Sequence, residues 1–394
     1  MSKRPNTNIF LSTFVQNAVL VVGVSLLLSS AVWLFMSDPR MALLWLIGAL
    51  LGVTLYHAAF GFALGYRQML VHREVDLVQA QVVMVAVAIC LFAPVLATSD
   101  VLGQEVVGAV APFGWQVAAG ACMFGIGMQL ADGCGSGTLY TVGGGGSKMV
   151  FTLASFVAGS FWASLHMDWW LELPSWEPVS LGETMGWPQA TAAQLAFLLA
   201  IGVLLQYWAK TPTKRLRKFW PSDWQEVVSG PWPLLTGAVA LALLNLLTLV
   251  TAGHPWSITW AFTLWGAKTA TLVGWDPSTS PFWSGDFQDM ALHSGILEDV
   301  TSVMNIGIVL GALCAAALAG RYMPTLKIPK LTIAAAVLGG LAMGYGARIA
   351  FGCNIGAFFS GVASSSLHGW LWIGSALLGA WVGVRIRPWF GLKN

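Results

Sequence analysis

Residues 120–141 read GACMFGIGMQLADGCGSGTLYT, and residues 339–360 read GGLAMGYGARIAFGCNIGAFFS. A shift of 219 positions, the distance from Cys134 to Cys353, lays one on the other. It pairs Gly120 with Gly339, Gly125 with Gly344, Gly127 with Gly346, Ala131 with Ala350, Gly133 with Gly352 and Gly137 with Gly356. Leu130 falls on Ile349, Thr141 on Ser360, and farther along Ser147 on Ser366 and Trp162 on Trp381. In a chain with 44 glycines, matched glycines alone are weak evidence. A shared GC-x-x-G core inside some forty residues of matching pattern marks an internal repeat.

Composition sets the medium in which the repeat folds. Of 394 residues, 57% are hydrophobic and only 9% are charged, with a mean hydropathy of +0.72. Ordinary soluble domains carry about 25% charge, so this chain cannot clothe a soluble surface. That excludes a cytosolic enzyme, a disordered scaffold and a disulfide-stapled secreted domain. A net charge of +2 offers no basic field to nucleic acid. Five cysteines without a CxxC pair describe neither a disulfide framework nor a zinc knuckle.

Spanning helices need about 20 apolar residues. Such runs fall near 14–36, 41–64, 78–98, 113–131, 149–166, 191–209, 232–251, 296–319, 332–350 and 368–386. A further piece near 256–274, which carries Lys268, reads as a re-entrant or broken helix. The expectation is an all-α polytopic membrane protein of about ten spanning helices. Residues 14–36 form an anchor, 41–166 a first repeat, 191–209 a linking helix and 232–386 a second repeat.

Loop charge orients these spans. Lys3, Arg4, Arg67, Arg73, Lys210, Lys214, Arg215, Arg217, Lys218, Arg321, Lys327, Lys330, Arg385, Arg387 and Lys393 fit on one face, the cytoplasmic one. The opposite loops are acidic and rich in tryptophan: Asp100 and Glu105, then Asp168 to Glu183, then Asp276 to Asp299. Both termini then lie in the cytoplasm. The first copy is flanked by acidic loops and the second by basic residues, so the two copies have opposite orientation. Inverted repeats of this kind are a transporter architecture, with substrate bound near the midplane where the copies meet.

Each copy reads as a span, a glycine-rich break, a short helical piece and another span. Backbone exposed at membrane depth is tolerated where it lines a cavity. A half-helix that begins there aims its free amides and positive dipole end at the cavity. That is an anion site, and each copy adds a cysteine to it. A thiol is polarizable and soft, and it suits a ligand carrying sulfur or selenium. The candidate binding residues are Gly133, Cys134, Gly135, Ser136, Gly137 and Thr138 in the first loop, and Gly352, Cys353, Asn354, Ile355 and Gly356 in the second. Arg348 and Lys268, charges at or near membrane depth, are further candidates to balance an anion. Asp132 would repel an anion and instead reads as a cap of the half-helix. Arg67 reads as an inside anchor. Cys90, Cys122 and Cys314 sit in plain apolar runs as packing residues. No His/Cys cluster has metal-ligand spacing, and no catalytic or nucleotide motif implies a cofactor.

At these residues the chain resembles the YeeE/YedE sulfur-transport family. The matching pieces are GCGSGTLYTVGGGGS at 133–147 and GARIAFGCNIGAFFSGVASSSLHGWLW at 346–372, with weaker matches at 60–69 and 253–268. The later motif is similar to the YedE branch, which is linked with selenium metabolism. The resemblance implies an inner-membrane importer of thiosulfate with an hourglass shape, its re-entrant half-helices meeting at the constriction. It implies a relay of thiosulfate by S–H···S contacts at Cys134 and Cys353, and a TusA-like cytoplasmic sulfurtransferase as partner. Two departures stand out: a third functional cysteine found in some members has no counterpart in 256–268, and the anchor at 14–36 is additional. The competing readings are a selenium compound or another sulfur species as cargo, and a sulfurtransferase or thiol oxidoreductase using the same cysteines.

Overall fold

In the computed structural model, residues 7–101, 103–210, 216, 218–324 and 327–394 are described. Lys3, Arg4, Lys214, Arg215 and Arg217, assigned above to the basic face, lie outside them. The apolar runs form helices because a chain in hydrocarbon must satisfy its own amides and carbonyls. Fourteen helices carry the fold. They are α1 (Thr7–Ser37), α2 (Pro39–His57), α3 (Phe62–Arg67, continued as a π-turn over Gln68–His72), α4 (Asp76–Thr98), α5 (Trp115–Ala131), α6 (Gly135–Gly143) and α7 (Ser147–Ser164). They continue with α8 (Trp187–Trp208), α9 (Leu234–Ala252), α10 (Thr259–Leu272), α11 (Val300–Leu318), α12 (Lys330–Ile349), α13 (Asn354–Ala363) and α14 (Leu367–Ile386). Extended structure among the described residues is limited to two-residue strands in the acidic loops and an isolated bridge between Ser180 and Ser366. The chain is an all-α polytopic membrane protein, with nine helical stretches among the described residues long and apolar enough to cross a membrane.

Two expectations need redrawing. The second span does not run to residue 64: α2 ends at His57, and α3 begins afresh at Phe62 after a break that holds Ala59 at φ 47°. Hydropathy missed this break because Ala58, Ala59 and Phe60 are as apolar as the helices beside them. Residues 256–274 are indeed short, with α10 spanning 14 residues after an irregular stretch that buries Trp256 and Ile258 completely.

Packing follows a rule of sevens. Helix α7 packs on α12, and α14 on α5; α2 packs on α11, and α9 on α4; α1 packs on α11, and α8 on α4. In each pair, adding seven to one label and subtracting seven from the other converts the first contact into the second. Glycine contacts obey the same exchange at residue level, because close helix approach in membranes needs small residues. A Cβ at Gly120 would strike the carbonyl of Gly346, and one at Gly339 the carbonyl of Gly127. The 219 shift interchanges these two contacts.

The last helices depart from that shift by one. Gly125 meets the carbonyl of Ala376, and its counterpart Gly344 meets that of Phe156. Gly379 meets Cys122, and Gly159 meets Leu341. These pairings place α14 at a shift of 220 from α7. The additional residue is taken up in α13, which is wound as a π-helix over Asn354–Ser360 where α6 is α-helical. A π-turn accommodates one more residue in the same rise.

Candidate functional site

The two GC loops have one backbone design. Asp132 (φ 65°) and Phe351 (φ 58°) end α5 and α12 in the left-handed region, and glycine follows each. The amide of Gly133 donates to the Met128 carbonyl and that of Gly352 to the Ala347 carbonyl, at 3.2 and 2.8 Å. Gly352, at φ 150°, adopts a conformation that only glycine takes readily. Cys134 (φ −95°, ψ −167°) and Cys353 (φ −112°, ψ −165°) then cap the half-helices α6 and α13.

Each sulfur accepts an amide from the first turn of its own half-helix. The Gly137 amide donates to Cys134 Sγ at 3.4 Å and the Ile355 amide to Cys353 Sγ at 3.5 Å. The Ser136 hydroxyl lies 3.3 Å from Cys134 Sγ, while the Thr138 side chain and amide both donate to the Cys134 carbonyl. An amide donating to sulfur polarises the thiol and makes its proton a better donor. Cys134 and Cys353 are 1% and 0% exposed, so the loops meet in a buried centre.

Absence of a side chain at Gly135 brings the copies together. A Cβ there would stand 3.3 Å from Cys353 Sγ and 3.5 Å from the Ile258 side chain. Ser257 flanks Gly356 in the second loop. Two further breaks therefore join the GC loops: residues 253–258 ahead of α10, and 58–61 ahead of α3, where Gly61 faces the Tyr140 hydroxyl. Asn354 Nδ2 donates to the Tyr66 hydroxyl at 3.1 Å, and Asn354 Oδ1 is buried without a partner among the described residues. A second network fixes the 253–258 stretch: Asn245 Nδ2 donates to Ser360 Oγ, which donates to the Trp256 carbonyl, and the Trp256 amide donates to Asn245 Oδ1.

Arg348, in the last turn of α12, has its guanidinium 5.1 Å from the Phe282 ring, its Nε is buried without a partner, and no carboxylate pairs with it among the described residues. Nearby, Tyr345 accepts from Trp170 Nε1 and contacts His166. Lys268 is placed differently. Its ammonium donates to the Leu292 and Ser294 carbonyls at 2.7 and 2.6 Å, which ties α10 to the acidic loop. On this side a cavity of about 610 Å³ reaches Ser257 between His254, Trp260, Ser294, Glu298 and Asp299.

Asp132 caps no half-helix, since Cys134 fills that role. Its carboxylate instead receives Arg67 at 2.7 Å, Lys148 at 2.7 Å and Arg387. Arg67 is thus more than an anchor. Tyr66, Tyr140, Ser257, Lys148 and Arg387 stand around the GC loops without a local sequence signal that places them there. Tyr66 and Ser257 do fall within the weaker matching pieces, at 60–69 and 253–268.

Broken helices that seat two capping cysteines inside a helical membrane body are an architecture of membrane transporters. The sequence profile of the family described as Sulphur transport matches residues 57–382, and the chain belongs to that family. It is 30% identical over 362 residues to the Thiosulfate transporter TsuA of Spirochaeta thermophila, covering 85% of this chain and 96% of that protein. It is 26% identical to the Thiosulfate transporter TsuA of Escherichia coli, covering 86% of this chain and 94% of that protein. The Probable transporter YedE of Escherichia coli is 30% identical over 154 residues, which is 39% of this chain and 37% of that protein. The match therefore spans little more than a third of the YedE length.

Proposed function

We propose that this protein imports thiosulfate across the bacterial inner membrane, with both termini in the cytoplasm. The observation that carries the reading is the seating of Cys353 Sγ against Gly135, beside Cys134, with both cysteines capping half-helices. Thiosulfate presents hard, anionic oxygens and one soft terminal sulfur. The soft atom accepts in turn from the polarised thiols of Cys353 and Cys134. The first-turn amides of Gly135 and Asn354 and the Tyr66 and Tyr140 hydroxyls offer donors to the oxygens. Arg348, unpaired by any carboxylate among the described residues, offsets charge on the acidic-loop side. Several weak contacts suit throughput, because the substrate must also leave.

The exchange of contacts between α1–α7 and α8–α14 supports two inverted copies that meet at the midplane. On this reading α1 is the counterpart of α8 rather than an addition to the body. Transport by rocking one copy against the other would open each side of the thiol pair in turn. A TusA-like sulfurtransferase would take up the sulfur delivered on the basic-loop side. The direct test is uptake of labelled thiosulfate into proteoliposomes, with selenite and sulfate as competitors. Saturable uptake that sulfate barely competes is expected; absence of flux from demonstrably folded protein would remove thiosulfate as the cargo.

A further inference from the structure

We propose that Arg67, Lys148 and Arg387, arranged about Asp132, form a second anion site through which the transported dianion leaves on the basic-loop side. The inference rests on the transporter reading above. Three cations converge on one carboxylate, from the end of α3, the first turn of α7 and the end of α14. The cluster therefore carries a surplus of two positive charges, which matches the charge of thiosulfate. It stands two residues before Cys134, so an anion released by that thiol meets it next.

Accessibility favours a site over a sealed clamp. The Asp132, Lys148 and Arg67 side chains are 27%, 17% and 15% exposed, whereas Arg387 is 3% exposed. Arg387 is held from behind by the Gln129 and Lys393 carbonyls, so its guanidinium is pre-organised. Lys148 and Arg67 each donate one hydrogen bond to Asp132 and retain donors for a ligand. The second copy has Phe351 at the equivalent position and, among the described residues, no such cluster. Asp132 acts as a tethered competitor for the three cations. It lowers their hold on the dianion enough for release.

The test pairs equilibrium binding with flux. Thiosulfate and sulfate binding to the purified full chain are measured by titration calorimetry, and initial uptake is measured in proteoliposomes. Asp132→Asn should tighten dianion binding by about tenfold and lower KM, while maximal uptake falls because release slows. Lys148→Gln and Arg67→Gln should each weaken binding by about tenfold. Weaker binding in Asp132→Asn would make the cluster a structural clamp and overturn the proposal. If Asp132→Asn fails to fold, unchanged dianion binding in folded Lys148→Gln and Arg67→Gln overturns it equally. A gain in Asp132→Asn that phosphatidylglycerol abolishes would assign the cations to lipid phosphate, also against the proposal. Binding shifts that persist without flux in any form, wild type included, would sink the transporter reading but not the site.

Discussion

The sulfur of Cys353 packs tightly against the bare backbone of Gly135, 3.3 Å from where a Cβ would stand. One copy's thiol is thus keyed into a gap in the other copy's half-helix. We expect Gly135→Ala to displace that thiol by a few tenths of an ångström and lower uptake by about tenfold, less than the roughly 100-fold of a full ångström. Gly374→Ala is the control, since nothing lies within 4 Å of its would-be Cβ. Equal uptake by both variants would show that the keyed geometry is irrelevant to transport.

Removal of either thiol should be costly for the same reason. Cys134→Ala or Cys353→Ala is expected to cut uptake about 100-fold, the usual scale for losing one pre-organised donor. Cys134→Ser and Cys353→Ser should retain part of it, because a hydroxyl still donates. Cys90→Ala, at an exposed position, should be silent. Full uptake by a Cys134→Ala, Cys353→Ala double variant would exclude the thiol relay.

How far the sequence announced this site depends on the residue. Matched glycines and cysteines exposed the GC loops, because backbone that turns or touches at membrane depth leaves few residue choices. The break at 58–61 was hidden, since Ala58 to Phe60 are apolar and carry no turn signal. The one-residue offset in α14 was hidden as well: the 219 shift lays Trp162 on Trp381, whereas the glycine contacts pack the helices one position later and the π-turn of α13 takes up the extra residue. Asp132 was misread because helix-cap chemistry is local, whereas Arg67, Lys148 and Arg387 reach it from 65, 16 and 255 positions away.

Arg348 offers a test of charge alone. Its guanidinium stacks on Phe282 and has no carboxylate partner among the described residues, so Arg348→Met keeps most of the bulk and removes the cation. KM for thiosulfate should rise about tenfold, while Arg348→Lys should fall between wild type and Met. A fall in maximal uptake with KM unchanged would place Arg348 outside the capture step.

The exchange of glycine contacts makes the last prediction, which needs no substrate. Gly125 presses on the Ala376 carbonyl and Gly344 on that of Phe156, in two interfaces built alike. Backbone cannot yield as a flexible side chain does, so Gly125→Val and Gly344→Val should each destabilise by ~3 kcal/mol, the upper range for overpacking. Their melting temperatures in detergent should fall by similar amounts. Gly202→Val, on α8 with nothing within 4 Å of its Cβ position, should leave melting within error of wild type. Similar losses in the first two would support two copies packed by one rule. A large loss in one with none in the other would show that the likeness of the contacts carries no energetic equivalence, and the pairing of α1–α7 with α8–α14 would lose its physical basis.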